Sequence, residues 1–342
     1  MSMTAKGRHL GRPDVLQRRF HGPIRFPGSD WQWWLANDDV AHDAAERMDR
    51  HMRGLGTDTV TTLRERKGRS IFRIQAHQGD FFAKEIALKP ARKCFGAFFG
   101  VQNRLFGYDH GSAEVDNTLA LNDRTHQGHD VLCLGERLRG GLPTRQLLIQ
   151  PWLEGWINLG EAFQAADEHG RRSLLYRMEA LLKAMHDARI CHLDINNGNL
   201  MVSTQDAKAP LRAIDCAKME TRVTQPAVST ALQIGKMLRE LYGRDEADLA
   251  KRYAQARAMQ RRIAGAEGDN EATDTLLALS LRYRLSKNLS RRKLVTAPFV
   301  NIDGPALEKC VRASRKNADI PAIVWAQDHP AMADETPAYS GH

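Results

Sequence analysis

The stretch Ile190-Cys191-His192-Leu193-Asp194-Ile195-Asn196-Asn197-Gly198-Asn199-Leu200-Met201-Val202 constrains this chain more than any other. Apolar residues lead into it and out of it, and between them a short polar loop holds an aspartate and an asparagine five positions apart. Two buried flanks fix both ends of such a loop, so Asp194 can be aimed at a substrate hydroxyl while the amide of Asn199 meets a cation. Phosphoryl transfer from a nucleotide needs that pair, because its rate comes from positioning and charge neutralisation more than from covalent chemistry.

The same chemistry requires two further groups. A second acidic residue should close a hydrophobic strand, to hold the metal that bridges the phosphates. Leu211-Arg212-Ala213-Ile214-Asp215 supplies it, after a polar turn from Ser203 to Pro210 that reads as a hairpin. A lysine on an upstream strand should grip the phosphates, and Phe81-Phe82-Ala83-Lys84 fits that slot. Alone, Lys84 reads as a solvent-facing edge residue. Ahead of Asp194, Asn199 and Asp215, in that order, it reads as a phosphate ligand.

With 342 residues, 42% hydrophobic and 27% charged, the chain can form one two-lobed domain or two small ones. No apolar run approaches the roughly 20 residues of a membrane-spanning helix. Met1 to Phe20 is basic without a signal-type hydrophobic segment, which predicts a cytoplasmic location. The five cysteines are scattered without Cys-x-x-Cys spacing and read as reduced thiols, with Cys191 and Cys216 as small core residues. A formal net charge of +9 favours anionic partners: phosphorylated glycans, acidic lipid headgroups, nucleotides or nucleic acid. The basic residues form no recognisable nucleic-acid reader, which makes that partner unlikely.

Residues 1–30 mix arginine, glycine and proline without periodicity and predict a flexible arm. Trp31 through Met52 reads as helical, closing at Gly54 and Gly56. The trio Trp31, Trp33 and Trp34 is either packed beneath the small lobe or an interfacial anchor. Val60–Arg66, Ile71–Gln75 and Phe81–Ile86 read as three strands of a meander joined by tight turns. The turn from Lys67 to Ser70, with Gly68, would lie over nucleotide phosphates or serve as an ordinary hairpin end. From Lys89 to Gly111, Lys89, Arg92, Lys93 and Arg104 interleave with Phe95, Phe98, Phe99 and Phe106. That segment is either a cationic, greasy face for an amphiphilic acceptor or anionic bilayer, or a helix packed on the sheet.

Ser112 to Leu121 reads as a helix with Ser112 as N-cap, and Glu114 is the carboxylate chosen to pair with Lys84, with Glu136 in reserve. Val131–Leu134 and Gln146–Gln150 read as strands. Pro151-Trp152-Leu153-Glu154-Gly155 is the link between lobes, where backbone groups of Gln150 and Leu153 would meet adenine. Leu174, Leu175, Met178, Leu181, Leu182 and Met185 recur at helical steps and predict a core helix. Leu232–Tyr242 and Ala247–Ala264 read as helices. Arg282, Arg284, Lys287, Arg291, Arg292 and Lys293 form a dense positive patch, either a dock for a multiply phosphorylated acceptor or a solvated face. Residues 318–342 read as a loose tail.

In order and spacing, Lys84, Asp194, Asn199 and Asp215 resemble the protein-kinase-like fold. Together with the basic insert, Ser112-Ala113-Glu114, the strand Leu147-Leu148-Ile149-Gln150 and Met185-His186-Asp187-Ala188-Arg189-Ile190-Cys191-His192-Leu193-Asp194, they resemble the bacterial lipopolysaccharide core kinases over roughly residues 35–245. The resemblance implies an α+β bilobal fold with an antiparallel N-lobe sheet over 31–150 and a mostly helical C-lobe over 151–317. It implies a phosphotransferase with an alcohol acceptor that uses ATP and Mg2+ on heptose or 3-deoxy-octulosonic acid of the inner core, at the cytoplasmic face of the inner membrane. By it, Asp194 orients the sugar hydroxyl and accepts its proton late, His192 braces the loop, Asn199 and Asp215 hold magnesium, and Lys84 with Glu114 sets the phosphates.

Three features depart from protein kinases. Asn196 stands where they commonly carry a lysine, Cys216-Ala217-Lys218 follows Asp215 in place of Phe-Gly, and no Ala-Pro-Glu signature follows. These departures point to a glycan or small-molecule acceptor over a peptide. A small-molecule or protein kinase of the same fold, or a catalytically weak scaffold binding anionic partners, stands as the alternative.

Overall fold

The computed structural model describes residues 19–36, 38–56, 59–89, 91–99, 102–103, 107–243, 248–282 and 291–296. Two compact units divide the chain. The first is Met1–Glu154 with Ile214–Lys218, and the second is Gly155–Ala213 with Met219–His342. An antiparallel sheet with helices in the first and a mostly helical second give the α+β class that the sequence implies. The short segment carrying Asp215 belongs to the first unit, against the expectation that placed it in the C-lobe.

In the first unit the strands are β1 (Phe20–Ile24), β2 (Trp31–Ala36), β3 (Val60–Arg66), β4 (Arg69–Ala76), β5 (Gly79–Ala87), the short pair β6 (Gln102–Asn103) and β7 (Gly107–Tyr108), β8 (Cys133–Arg139) and β9 (Leu142–Pro151). Seven of them form one sheet in the order β1-β2-β8-β9-β5-β4-β3. The helices are α1 (Asp39–Met52), α2 (Ala91–Phe99) and α3 (His110–Thr125). On one face of the sheet Trp31, Trp33, Ile74, Phe81 and Ala83 pack with Ala41, Ala44, Ala45 and Met48 of α1. On the other, Trp34, Leu134 and Leu148 pack with Val115 of α3. Successive strand residues alternate between faces, so Phe81 and Ala83 turn to α1 and Lys84 turns the other way, toward α3.

Three expectations need correction here. Trp31–Ala36 is a strand and not the start of a helix. Its residues Trp31 to Leu35 are all buried, because both faces of β2 are covered, so the polar alternation that marks a strand never appears. The tryptophans are core residues, with Trp31 and Trp33 stacked at a centroid distance of 5.8 Å. Phe20–Ile24, assigned to a flexible arm, is edge strand β1 paired antiparallel with β2, and Phe20 enters the core. The N-cap of α3 is Asp109, whose carboxylate accepts the backbone N–H of Ser112 at 3.1 Å. Glu114 therefore sits past the first turn. Helix α1 begins as a capped helix should, with the Asp38 carboxylate accepting from Val40 and Ala41.

The second unit holds β10 (Trp156–Asn158), β11 (Cys191–His192), β12 (Leu200–Ser203), β13 (Arg212–Ala213) and β14 (Met219–Glu220). Its helices are α4 (Leu159–Ala165), α5 (Glu168–Asp187), α6 (Pro226–Tyr242), α7 (Leu249–Ala264), α8 (Glu271–Arg282) and α9 (Arg291–Thr296). Helix α5 buries Leu174, Leu175, Met178, Leu181, Leu182 and Met185, the stripe read from the sequence. Strands β12 and β13 pair across the Ser203–Pro210 turn, with Leu200 opposite Ala213. A second cluster joins Cys191 to Val228 and Leu232 of α6 and Leu276 and Leu279 of α8.

Among the described residues no helix is long and apolar enough to cross a membrane. Cys94, Cys133, Cys191 and Cys216 are buried thiols outside any disulfide. Residues 1–18 of the predicted arm, the tail 318–342, Cys310, Arg104, Phe106, Arg284, Lys287 and the side chain of Lys293 lie outside the described residues.

Candidate active site

The first unit builds an ion cluster around Lys84. Strand β5 turns this side chain onto α3, where both oxygens of Glu114 accept from Nζ at 2.6 and 2.7 Å. A third acceptor, Asp215 Oδ1, lies at 3.0 Å. Glu114 is 2% exposed and Asp215 49%, so one carboxylate anchors the ammonium from within and the other faces solvent. Burial pulls the Lys84 proton affinity down, but Glu114 and Asp215 outweigh it and hold the ammonium above its usual range. Burial raises the Glu114 carboxyl, against the pull of Lys84.

Asp215 is held by its local backbone. Its φ is +56°, in the left-handed region that a short polar side chain tolerates. The following turn, Cys216–Lys218, is tied to α3 by Asn117 Nδ2, which donates to Cys216 O at 2.9 Å. One helical turn before Glu114 stands His110. Burial first, then Lys93, Lys218, Arg69 and Lys84, lower its imidazole to about 4, so it is neutral at pH 7. Four cations from four separate segments thus surround this end of α3, a setting suited to anionic oxygens.

The other expected residues lie as follows. Lys67 and Gly68, at φ +47° and +77°, form the two-residue turn between β3 and β4, and Gly68 O accepts from Ala87 N at 2.8 Å. Gln150 is buried in β9 with Nε2 donating to Asp130 O at 3.3 Å, so its side chain is structural. Leu153 is half-buried just after that strand. Glu136, the reserve partner for Lys84, instead accepts from Gln32 and Gln146 at 3.0 Å each. In the basic segment, Phe95 and Phe99 of α2 are 47% and 46% exposed, while Cys94 and Ala97 pack on Leu88.

The second unit builds the loop. Backbone N–H groups of Asp194 and Ile195 donate to His192 Nδ1 and His192 O, at 3.3 and 3.1 Å. His192 is 1% exposed, so it braces the turn from inside. Asp194 O collects Asn196 Nδ2 at 2.8 Å and Asn199 Nδ2 at 3.1 Å. With its nitrogen committed, the Asn199 amide keeps its oxygen as an acceptor.

Sequence reasoning missed what holds this loop. Gln233 Oε1 of α6 accepts the backbone N–H of His192 at 3.2 Å, and Glu240 Oε2 accepts that of Asn197 at 3.2 Å. The signal was present: two polar residues seven apart, on one face of a helix that is otherwise largely buried.

In the first unit the solvent-facing Asp215 carboxylate is a hard oxygen donor of the type Mg2+ takes, usually one or two carboxylates with waters and substrate phosphates completing the shell. Among the described residues no group of three His, Cys, Asp or Glu side chains is assembled for a metal.

No curated protein matches the chain. Among solved structures, one described as "WaaP in complex with acyl carrier protein" is similar, at 16% identity and a TM-score of 0.39, covering 69% of this chain and 98% of that one. Residues 102–255 match the model of the lipopolysaccharide kinase (Kdo/WaaP) family. Lys84 lies upstream of the match, while Glu114, His192, Asp194, Asn199 and Asp215 lie within it. Over that region, and not over the whole chain, the sequence is similar to the lipopolysaccharide kinase (Kdo/WaaP) family.

Proposed function

We propose that the chain is an ATP-dependent kinase that transfers the γ-phosphate to a sugar hydroxyl of the lipopolysaccharide inner core, on heptose or 3-deoxy-octulosonic acid. The observation that carries this reading is Lys84 Nζ held by Glu114 at 2.6 Å and by Asp215 at 3.0 Å. A half-buried lysine with one internal carboxylate and one solvent-facing carboxylate is poised to trade the second contact for nucleotide phosphate.

In this reading Lys84 grips the phosphates, Glu114 keeps it aimed, and Asp194 orients the acceptor hydroxyl and takes its proton late. His192 fixes the loop backbone that carries Asp194. Asn199 and Asp215 would hold magnesium, which when bound neutralises charge on the phosphates. Backbone groups at Gly68, Gln150 and Leu153 would line the nucleotide. The net charge of +9 suits an anionic glycan and peripheral contact with the inner membrane from its cytoplasmic face.

Purified chain with radiolabelled ATP and magnesium should label core oligosaccharide and leave a generic protein acceptor unlabelled. Labelled protein with unlabelled glycan would overturn the acceptor assignment. Unchanged function in cells carrying Asp194→Ala would favour a non-catalytic scaffold. Mass spectrometry of the core glycan from cells with and without the protein then identifies the sugar.

A further inference from the structure

Helix α6 presents Gln233, Lys236 and Glu240 at i, i+3 and i+7, which is one face. Gln233 pins the backbone N–H of His192 and Glu240 that of Asn197, so this face is fastened to the loop on both sides of Asp194. Lys236 stands between the two pins. Its Nζ lies 3.9 Å from Glu240 Oε1, and its side chain is 17% exposed. A lysine held this far from water needs anionic company, and one loose contact to Glu240 leaves donors to spare.

The loop has no cation of its own at the matching place. Asn196, two residues after Asp194, is a neutral amide, and both ends of it are committed. Its Nδ2 donates to Asp194 O at 2.8 Å and its Oδ1 accepts from Gly198 N at 3.0 Å. It therefore locks the loop's shape and brings no charge.

Resting on the kinase reading above, we propose that Lys236 supplies from α6 the positive charge beside Asp194 that the loop lacks at Asn196, and so meets the charge of the phosphoryl group in transfer. The charged groups facing it are Glu240 and Arg239 on its own helix, Arg291 from α9 and Asp194 of the loop. Burial lowers its proton affinity, while Glu240 and then Asp194 support the charged form and Arg291 and Arg239 oppose it. Asp194 is thus within electrostatic reach of the Lys236 ammonium.

Three variants of the full chain test this: Lys236→Met, Lys236→Arg, and Lys236→Met combined with Asn196→Lys. Lys236→Met should lower kcat by about tenfold or more with the nucleotide KM little changed, as expected when a charge acting mainly in the transition state is lost. Lys236→Arg and the double variant should recover much of that loss. Turnover by Lys236→Met within about twofold of wild type overturns the proposal, and so does failure of both recovering variants.

A second measurement is independent of turnover and of whether Lys236→Met folds. The Lys236 ammonium, titrated by NMR of carbon-labelled lysine, should deprotonate at lower pH in Asp194→Asn than in wild type. An unmoved titration overturns the pairing. A wild-type chain that phosphorylates no core glycan would sink the kinase reading instead, and the titration would still decide whether Lys236 and Asp194 are coupled.

Discussion

Glu114 accepts two hydrogen bonds from Lys84, at 2.6 and 2.7 Å, across thirty residues of chain and from a carboxylate that is 2% exposed. Removing the lysine leaves a buried, unpaired carboxylate, whose remedy is to take up a proton. Burial already holds the Glu114 carboxyl above its usual 4.5. A carboxyl raised by folding favours the native state at low pH and loses that contribution as pH rises through its folded value. Lys84→Met extends this window upward. Urea midpoints measured from neutral pH down to about 4.5 should show the variant's deficit relative to wild type shrinking as pH falls. A constant deficit would argue against the buried pair.

The loop predicts a separation of binding from chemistry. Asp194→Asn keeps the backbone carbonyl that gathers Asn196 and Asn199, and removes only the charge. Phosphate transfer should fall by roughly two to four orders of magnitude while nucleotide affinity changes little. Equal losses in both would mean that Asp194 serves the fold.

The grip of α6 on the loop can be read without any substrate. Gln233→Leu removes the acceptor for the backbone N–H of His192, a buried donor. Such a loss costs about 1–3 kcal/mol. Amide exchange should quicken at His192, while amides in α5 keep their protection at matched stability.

Gly135 lies across from Trp33 in the β2–β8 register, and a Cβ added there would come within 2.6 Å of the indole ring. Gly135→Ala should therefore lower stability by about 1–3 kcal/mol, seen as an earlier thermal transition.

Two buried thiols, one in each unit, should be inert in the native protein. Burial pushes Cys216 up to about 12 and Cys191 up to about 11. Thiolates are the reactive form, so alkylation at pH 8 should reach either residue only after denaturation, as mass spectrometry of native and unfolded samples would show.

Much of this arrangement was legible in the sequence because the signals were local and periodic. The order of Lys84 ahead of Asp194, Asn199 and Asp215 marked the lysine as a ligand, the stripe from Leu174 to Met185 gave a helix, and the polar turn before Asp215 gave a hairpin. The misreadings have one physical origin, that tertiary cover erases local pattern. Trp31–Leu35 is buried on both faces, so nothing alternates. At the start of α3, Ser112 and Asp109 are both good caps, and the hydrogen bond from Ser112 N to the Asp109 carboxylate decides between them. Gln233, Lys236 and Glu240 look like an exposed polar edge until their loop partners are known.

Strand β2 has a consequence beyond its own pairing. Trp33 packs with Met48 of α1, and its neighbour Trp34 packs with Val115, the residue that follows Glu114 in α3. A single partition therefore carries the load of both layers of the first unit. Changes in α1, which shares no cluster with Val115, can shift the perch of Glu114 through the thickness of one polypeptide, and so tune the ion cluster from behind.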